Sequence, residues 1–222
     1  MRAVVKIGGS LIKEAPELVD RLVQEFNSEN KIAFERRQTY RSLSISILLI
    51  PGGGAFADTV RSVNKIFSFG ADAAHWMAIL AMEQYAYYLQ DKSGVVSTDS
   101  IVDIPPGVSI LFPYRLLKNE DPLPHTWDVT SDTIAAWVAS QVDAMLLKAT
   151  DVDGIFKEGK LIREISATYF ERSCVSCIDP ALPSFLQKNR MECLIVNGKY
   201  PERVIQALYG KPVFGTAVKG NI

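Results

Sequence analysis

The sequence predicts an α/β protein, a sandwich of helices around a mostly parallel sheet. Three observations carry this. Short apolar runs alternate along the chain with stretches whose apolar residues recur at helical spacing. Glycine-rich or acidic turns follow three of the apolar runs: G-G-S at 8–10, G-G-G at 52–54 and T-D-V-D-G at 150–154. In sheets of this kind ligands gather outside the carboxyl ends of the strands, where such turns lie. Finally, 222 residues at 48% hydrophobic and 22% charged supply a full core for one domain rather than two small ones.

The elements follow in order. Residues 4–7 form a short buried strand, and 16–26 place Leu18, Leu22, Val23 and Phe26 on one helical face. The polar stretch 27–44 reads as a surface excursion before a second strand at 45–50. P-G-G-G ends that strand, and helices follow over 55–66 and 71–89. In the latter helix Trp76, Met77, Ile79, Leu80 and Met82 are expected to pack the core. Strands are predicted at 95–102 and 108–112, then a proline-rich connection over 113–124. Thr130 caps a helix over 131–140, a strand covers 143–148, and E-G at 158–159 turns a hairpin between 155–157 and 161–163. A helix at 183–188, a strand at 193–196, the N-G turn at 197–198, a helix at 202–208 and a last short strand at Val213 complete the chain.

A formal charge of −1, with both signs dispersed, argues against a nucleic-acid or membrane-surface partner and for a small molecule. No leader pattern opens the chain, and no apolar stretch approaches the roughly 18 residues of a spanning helix, so a cytoplasmic location is expected. Cys174, Cys177 and Cys193 read as reduced thiols rather than a metal or redox set.

The chemistry concentrates at the glycine turns. Gly8 and Gly9 leave backbone N–H groups unshielded at a strand end, and Gly52, Gly53 and Gly54 do the same nearby, which suits two anion nests. Lys6 stands two residues before Gly8, so its ammonium reaches toward whatever the glycines hold. Neither the Walker pattern nor the dinucleotide fingerprint is present. A buried lysine needs a counter-ion, and Asp132 in T-S-D-T is the candidate, although the same residue complements a helix dipole. Asp151 and Asp153 flank a turn closed by Gly154 and also suit plain turn chemistry.

K-I-G-G-S at 6–10, P-G-G-G at 51–54, T-S-D-T at 130–133, T-D-V-D-G-I-F at 150–156 and the closing V-N-G…P-E-R-V…G-T together resemble the amino acid kinase family. That family includes acetylglutamate, aspartate, uridylate and isopentenyl phosphate kinases. The resemblance implies a three-layer αβα sandwich on an eight-stranded, mostly parallel sheet, in a single domain. ATP and Mg²⁺ would sit at one end of the cleft, with magnesium held mainly by the ATP phosphates and no protein metal ligand assigned. The acceptor would sit at the other end, mainly on residues 1–125, with the nucleotide mainly on 126–222. A homodimer is also implied.

Carried over by position, Lys6 falls on the phosphoryl-stabilising lysine and Asp132 on the aspartate that organises it, the two catalytic assignments. Gly8, Gly9 and Ser10 fall on the donor phosphates, and Thr150, Asp151, Asp153, Gly154, Ile155 and Phe156 on the nucleotide segment. Gly52, Gly53 and Gly54 fall on the acceptor loop. Many relatives carry a second catalytic lysine where this chain reads S-C-V-S-C-I-D-P-A-L-P; Lys148, counted with the ATP-binding residues, or Lys188 are the substitutes in reach. Arg61, Asp72, His75, His125, Trp127 and Thr130 are the substrate-binding candidates: cations or a histidine for an acceptor phosphate, Asp72 for an ammonium group, and the 125–130 loop over a ring.

Within the family, H-T-W-D-V-T-S-D-T-I, A-H-W-M-A-I and I-D-P-A-L-P are similar to a subgroup that phosphorylates [5-(aminomethyl)furan-3-yl]methyl phosphate in methanofuran biosynthesis. The expectation is therefore in-line transfer of the γ-phosphoryl group to a phosphate monoester. An acceptor phosphate is already ionised near neutral pH, so no general base is required. The alternatives are a same-fold kinase of a carboxylate, amino acid, isopentenyl phosphate or nucleotide, or a nucleotide-binding sensor or storage protein without turnover.

Overall fold

The computed structural model describes residues 1–35, 45–169 and 177–220. Cys174, most of the S-C-V-S-C stretch and residues 36–44 of the expected surface excursion lie outside them.

Among the described residues, ten strands and seven α-helices follow in chain order. They are β1 (Arg2–Ile7), α1 (Ala15–Glu35), β2 (Ser46–Pro51), α2 (Gly54–Phe67), α3 (Ala71–Ser93), β3 (Val96–Thr98), β4 (Gly107–Leu111), α4 (Pro113–Glu120), α5 (Ser131–Gln141), β5 (Met145–Thr150), β6 (Phe156–Lys157), β7 (Lys160–Leu161), β8 (Glu164–Ser166), α6 (Leu182–Asn189), β9 (Glu192–Asn197), α7 (Pro201–Leu208) and β10 (Gly215–Lys219). Eight of the strands form one sheet in the order β3-β4-β2-β1-β5-β9-β10-β8, and β6 and β7 make a separate hairpin. Only the β9–β10 pairing within the large sheet is antiparallel. The expected eight-stranded, mostly parallel α/β architecture is thus what the chain adopts.

The central strands are buried on both faces, which is why they read as unbroken apolar runs rather than alternating ones. Alternation sorts the side chains between two cores. Ala3, Val5, Ile7, Ile47, Leu49, Leu147 and Ala149 face α1 and α7. Val4, Leu48, Ile50, Leu146 and Ile195 face α5 and α6. Lys6 and Lys148 have the parity of Val4 and Leu146 and so project toward α5, whose residues Ser131 to Ala139 are all buried. No helix among the described residues is long and apolar enough to cross a membrane.

Several boundaries differ from the sequence reading. The connection expected over 113–124 contains α4: Pro113 occupies the first helical turn, where its missing N–H costs nothing, and Asp121 closes the helix at φ 41°. The strand expected over 95–102 is only Val96–Thr98, because the Thr98 hydroxyl accepts from the Ser100 N–H and turns the chain. Val213 precedes rather than forms the last strand, which is Gly215–Lys219. The three-residue edge strand Glu164–Ser166 is too short to show a period. Leu80 is 41% exposed, not core, while Ile79 and Met82 are buried. The predicted hairpin is present, its turn residues Glu158 and Gly159 both at positive φ.

Candidate active site

β1 and β5 are parallel neighbours in a register that sets Lys6 directly opposite Lys148. Both ammonium groups meet one carboxylate in the first turn of α5. Lys6 Nζ lies 2.8 Å from Asp132 Oδ1 as an ion pair, and Lys148 Nζ donates to Asp132 Oδ2. All three side chains are buried, at 6%, 4% and 5% exposure for Lys6, Lys148 and Asp132. Burial on its own would neutralise such groups, and the pairing opposes it. Burial nevertheless pulls Lys6 below the ordinary lysine range, with Asp132 opposing and Lys148 adding to the fall. Lys148 bears a similar burial cost but ends raised, held by the Asp132 carboxylate. Asp132, despite burial, is held well below the usual carboxylate range by the two lysines. Asp132 therefore pairs with both lysines, Lys148 beside Lys6.

The glycine turns meet at the same strand ends. A Cβ on Gly9 would lie 2.4 Å from Gly54 N, and Gly54 itself has φ 52°, so the close approach of the two turns requires glycine at both positions. The expectation that every glycine N–H is open does not hold. Gly8 N–H donates to Ala149 O and Gly52 N–H to Ile7 O, each at 2.8 Å, continuing the sheet rather than facing a ligand. Gly9, Ser10, Gly53 and Gly54 line a cavity of about 340 Å³ together with Lys6, Asp58, Arg61, His75, Trp127 and Thr130. Ile79, Met82 and Ile134 form its apolar floor, so two of the residues expected only in the core also wall the cavity. Neither Asp132 nor Lys148 is among the lining residues; of the three charged groups only Lys6 reaches the cavity.

The T-D-V-D-G turn is tied to this cleft on the other side. Ser10 Oγ donates to Asp151 Oδ1 at 2.8 Å, which lowers the Asp151 carboxyl. Asp153 accepts from Asn197 Nδ2 at 3.0 Å and from Arg203 at 2.6 Å, and is lowered by them, so it fastens the turn to the V-N-G…P-E-R segment. Gly154, at φ 137°, leaves room for Thr216, whose hydroxyl accepts from the Ile155 N–H. Ile155 is 2% exposed and belongs to the core, whereas Phe156 faces solvent.

Within the cavity, the Arg61 guanidinium pairs with Asp58 at 2.7 Å and lies 5.2 Å from the centre of the Trp127 ring. His75 and His125 stack with centroids 4.0 Å apart. His125 is bridged by two carboxylates, Nδ1 to Asp72 at 2.6 Å and Nε2 to Asp121 at 2.8 Å, which raise it. Burial, with the neighbouring His125 charge, lowers His75 to about 4, so it is neutral at neutral pH. These rings wall a second pocket of about 290 Å³, which shares His75, Ala78, Trp127 and Val129 with the main cavity.

Thr130 reaches the cavity, but its hydroxyl donates to Asp179. Asp179 is the residue that motif reading overlooked, although an acidic residue before Pro180 and an apolar helical run is a helix-start signal.

Comparisons with known proteins agree with this geometry. A family model described as Amino acid kinase family matches residues 108–197. A [5-(aminomethyl)furan-3-yl]methyl phosphate kinase from Methanocaldococcus jannaschii is 30% identical, over 98% of this chain and 97% of its own. A uridylate kinase from Thermofilum pendens is 23% identical over 98% and 97%. Among solved structures, a uridylate kinase from Archaeoglobus fulgidus superposes with a TM-score of 0.66 at 16% identity, covering 98% of this chain and all of that one. A UMP kinase from Ureaplasma parvum gives 0.65 at 17%, covering 99% and 98%. The solved structures establish the fold.

Proposed function

The chain belongs to the amino acid kinase family and is an ATP-dependent phosphotransferase, and we propose that it transfers the γ-phosphoryl group in line to the phosphate of a small monoester, giving a diphosphate. The observation that carries this reading is the buried Lys6–Asp132–Lys148 group beside two touching glycine turns. Lys6, which lines the cavity, supplies charge for the transferring group, and the Asp132 carboxylate, held by both lysines, has no capacity to act as a base. His75, lowered to about 4, is a poor base as well. Among the described residues the cavity offers cations, and its lining carboxylate Asp58 is paired with Arg61, which suits an acceptor that is already ionised, a phosphate or a carboxylate, rather than a neutral hydroxyl.

Gly9, Ser10 and the 150–156 turn serve the donor nucleotide in this reading, and Gly53, Gly54 and Arg61 the acceptor phosphate. Asp132 and Asp153 are committed to lysines and to Arg203, so Mg²⁺ is expected to travel on the nucleotide phosphates, where it would neutralise developing charge. Within the phosphate monoesters we favour [5-(aminomethyl)furan-3-yl]methyl phosphate. The relative of that name supports it. So do the stacked and edge-on rings of the adjoining pocket, which suit a small aromatic ring, while Asp72, the candidate for its ammonium group, is held by His125 and does not line that pocket. Uridylate is the second reading, favoured by the uridylate kinase relatives.

The test is ATP consumption against a panel of the furan phosphate, uridylate, isopentenyl phosphate and an N-acylated amino acid, with products read by phosphorus NMR. A diphosphate from the furan compound at the highest kcat/KM is expected. Preference for uridylate moves the assignment to the second reading, an acyl phosphate overturns the monoester class, and no turnover on any acceptor leaves a nucleotide-binding protein.

A further inference from the structure

Asp179 is 6% exposed, and its carboxylate accepts five hydrogen bonds. Oδ2 takes the Thr130 N–H and hydroxyl, both at 2.9 Å, and the Thr133 N–H at 3.0 Å. Oδ1 takes the Thr133 hydroxyl at 2.6 Å and the Leu182 N–H at 2.9 Å. One side chain thus caps two helices, α5 and α6. The Thr130 side chain makes no capping bond of its own to α5, because its hydroxyl is directed at Asp179. The backbone N–H of Asp179 closes the loop by donating to Asp132 Oδ2 at 3.1 Å, the same oxygen that Lys148 reaches.

We propose that Asp179 is a positioning residue for phosphoryl transfer: it fixes the first turn of α5, and with it Asp132, and sets a second acidic side chain beside the carboxylate that Lys6 and Lys148 share. The proposal rests on the kinase reading above for its catalytic consequence, but not for its electrostatic one. Two ammonium groups meet the Asp132 carboxylate, and Asp179 bonds to that carboxylate through its backbone N–H. Without Asp179 two lysines share one carboxylate in a buried place, and one of them discharges more readily. Lys6 is that one, since burial already draws it down, with Asp132 on α5 and Asp179 opposing and Lys148 on β5 assisting. The Cys177 and Cys193 thiols complete the titratable surroundings of the group, and burial raises both, so they stay neutral near neutral pH.

Asp179→Asn keeps the shape and removes the charge. Lysine labelled at Cε, with Lys6 assigned by its loss in Lys6→Met, reports the titration of Lys6 directly by NMR. In Asp179→Asn its midpoint is expected below that of the wild type. The alkaline limb of kcat should move down with it, and kcat near neutrality should fall about tenfold with KM for ATP little changed. A Lys6 midpoint that stays with the wild type overturns the charge role, since a loss of rigidity alone would not move it. Thr133→Val deletes only the 2.6 Å hydroxyl contact and leaves the charge in place. It should lower kcat about threefold or more with the alkaline limb unmoved, and an unchanged kcat overturns the positioning role even where Asp179→Asn does not fold. The NMR readout needs no acceptor, so a wild type without turnover overturns the kinase reading while the titration still decides on Asp179.

Discussion

Lys6 keeps its charge only through its neighbours, and the same neighbours decide what each substitution does. Lys6 lines the cavity, whereas Lys148 does not and pairs with Asp132. Lys6→Ala should therefore lower kcat by about a thousandfold while nucleotide affinity, read by calorimetry, changes little. Lys148→Met should lower kcat about ten- to a hundredfold on its own, and add little on a Lys6→Ala background, because it acts through the lysine that is already gone. Full additivity in that double variant would give Lys148 an independent role in the transfer. His75 carries a pH prediction of its own. Its folded-state value of about 4 lies below the ordinary histidine value of about 6.5, so the unfolded chain takes up the proton first as pH falls. Its contribution to stability is complete above pH 6.5 and lost between there and about 4. His125 has the opposite sign: raised by Asp72 and Asp121, it adds stability at low pH that is lost as pH rises through its folded value. Urea midpoints of His75→Phe should depend less on pH between 6.5 and 4 than those of the wild type; equal slopes would dismiss the burial of a neutral His75.

The elements that place these residues differ in how far the sequence shows them. K-I-G-G-S and P-G-G-G were legible because their information is local: an apolar run, then residues free of Cβ. Their reason was only half legible, since glycine is required at 9 and 54 by contact between two turns far apart in sequence. Gly9→Ala should accordingly cost about 1–3 kcal/mol by overpacking, measured by denaturant unfolding, and reduce turnover by parting the turns. A variant of wild-type stability would mean that the turns separate freely. The parity that directs Lys6 and Lys148 to one carboxylate depends on register, which a buried strand without alternation does not display. α4 was hidden because Pro113 and the prolines at 122 and 124 read as breakers, although the first starts the helix and the others follow its end. Asp179 was hidden for a different reason: its partners Thr130, Asp132 and Thr133 lie 46 to 49 residues away, so only the closed fold brings them together.

At the scale of the molecule, the first two glycine turns line the cavity, and a few side-chain bonds among the described residues tie them to the 150–154 turn and the segment beyond it. Ser10 to Asp151 is one such tie, and Asp153 to Asn197 and Arg203 anchors the far wall. A nucleotide bound across these turns would stabilise the folded chain in proportion to its occupancy. At about a hundred times Kd the linkage is about 2.7 kcal/mol, or roughly 5–10 °C in Tm for a chain of this length. Metal removal separates the parts of that effect. The site carboxylates Asp132 and Asp153 are satisfied by cations of the chain itself, so the fold does not need Mg²⁺ to hold them. EDTA on the nucleotide-free protein should leave Tm unchanged, while EDTA in the presence of ATP should abolish turnover and remove most of the ligand-induced rise. A fall in Tm when the nucleotide-free chain meets the chelator would show that a metal is held by protein groups, and would move Mg²⁺ from the nucleotide to the chain.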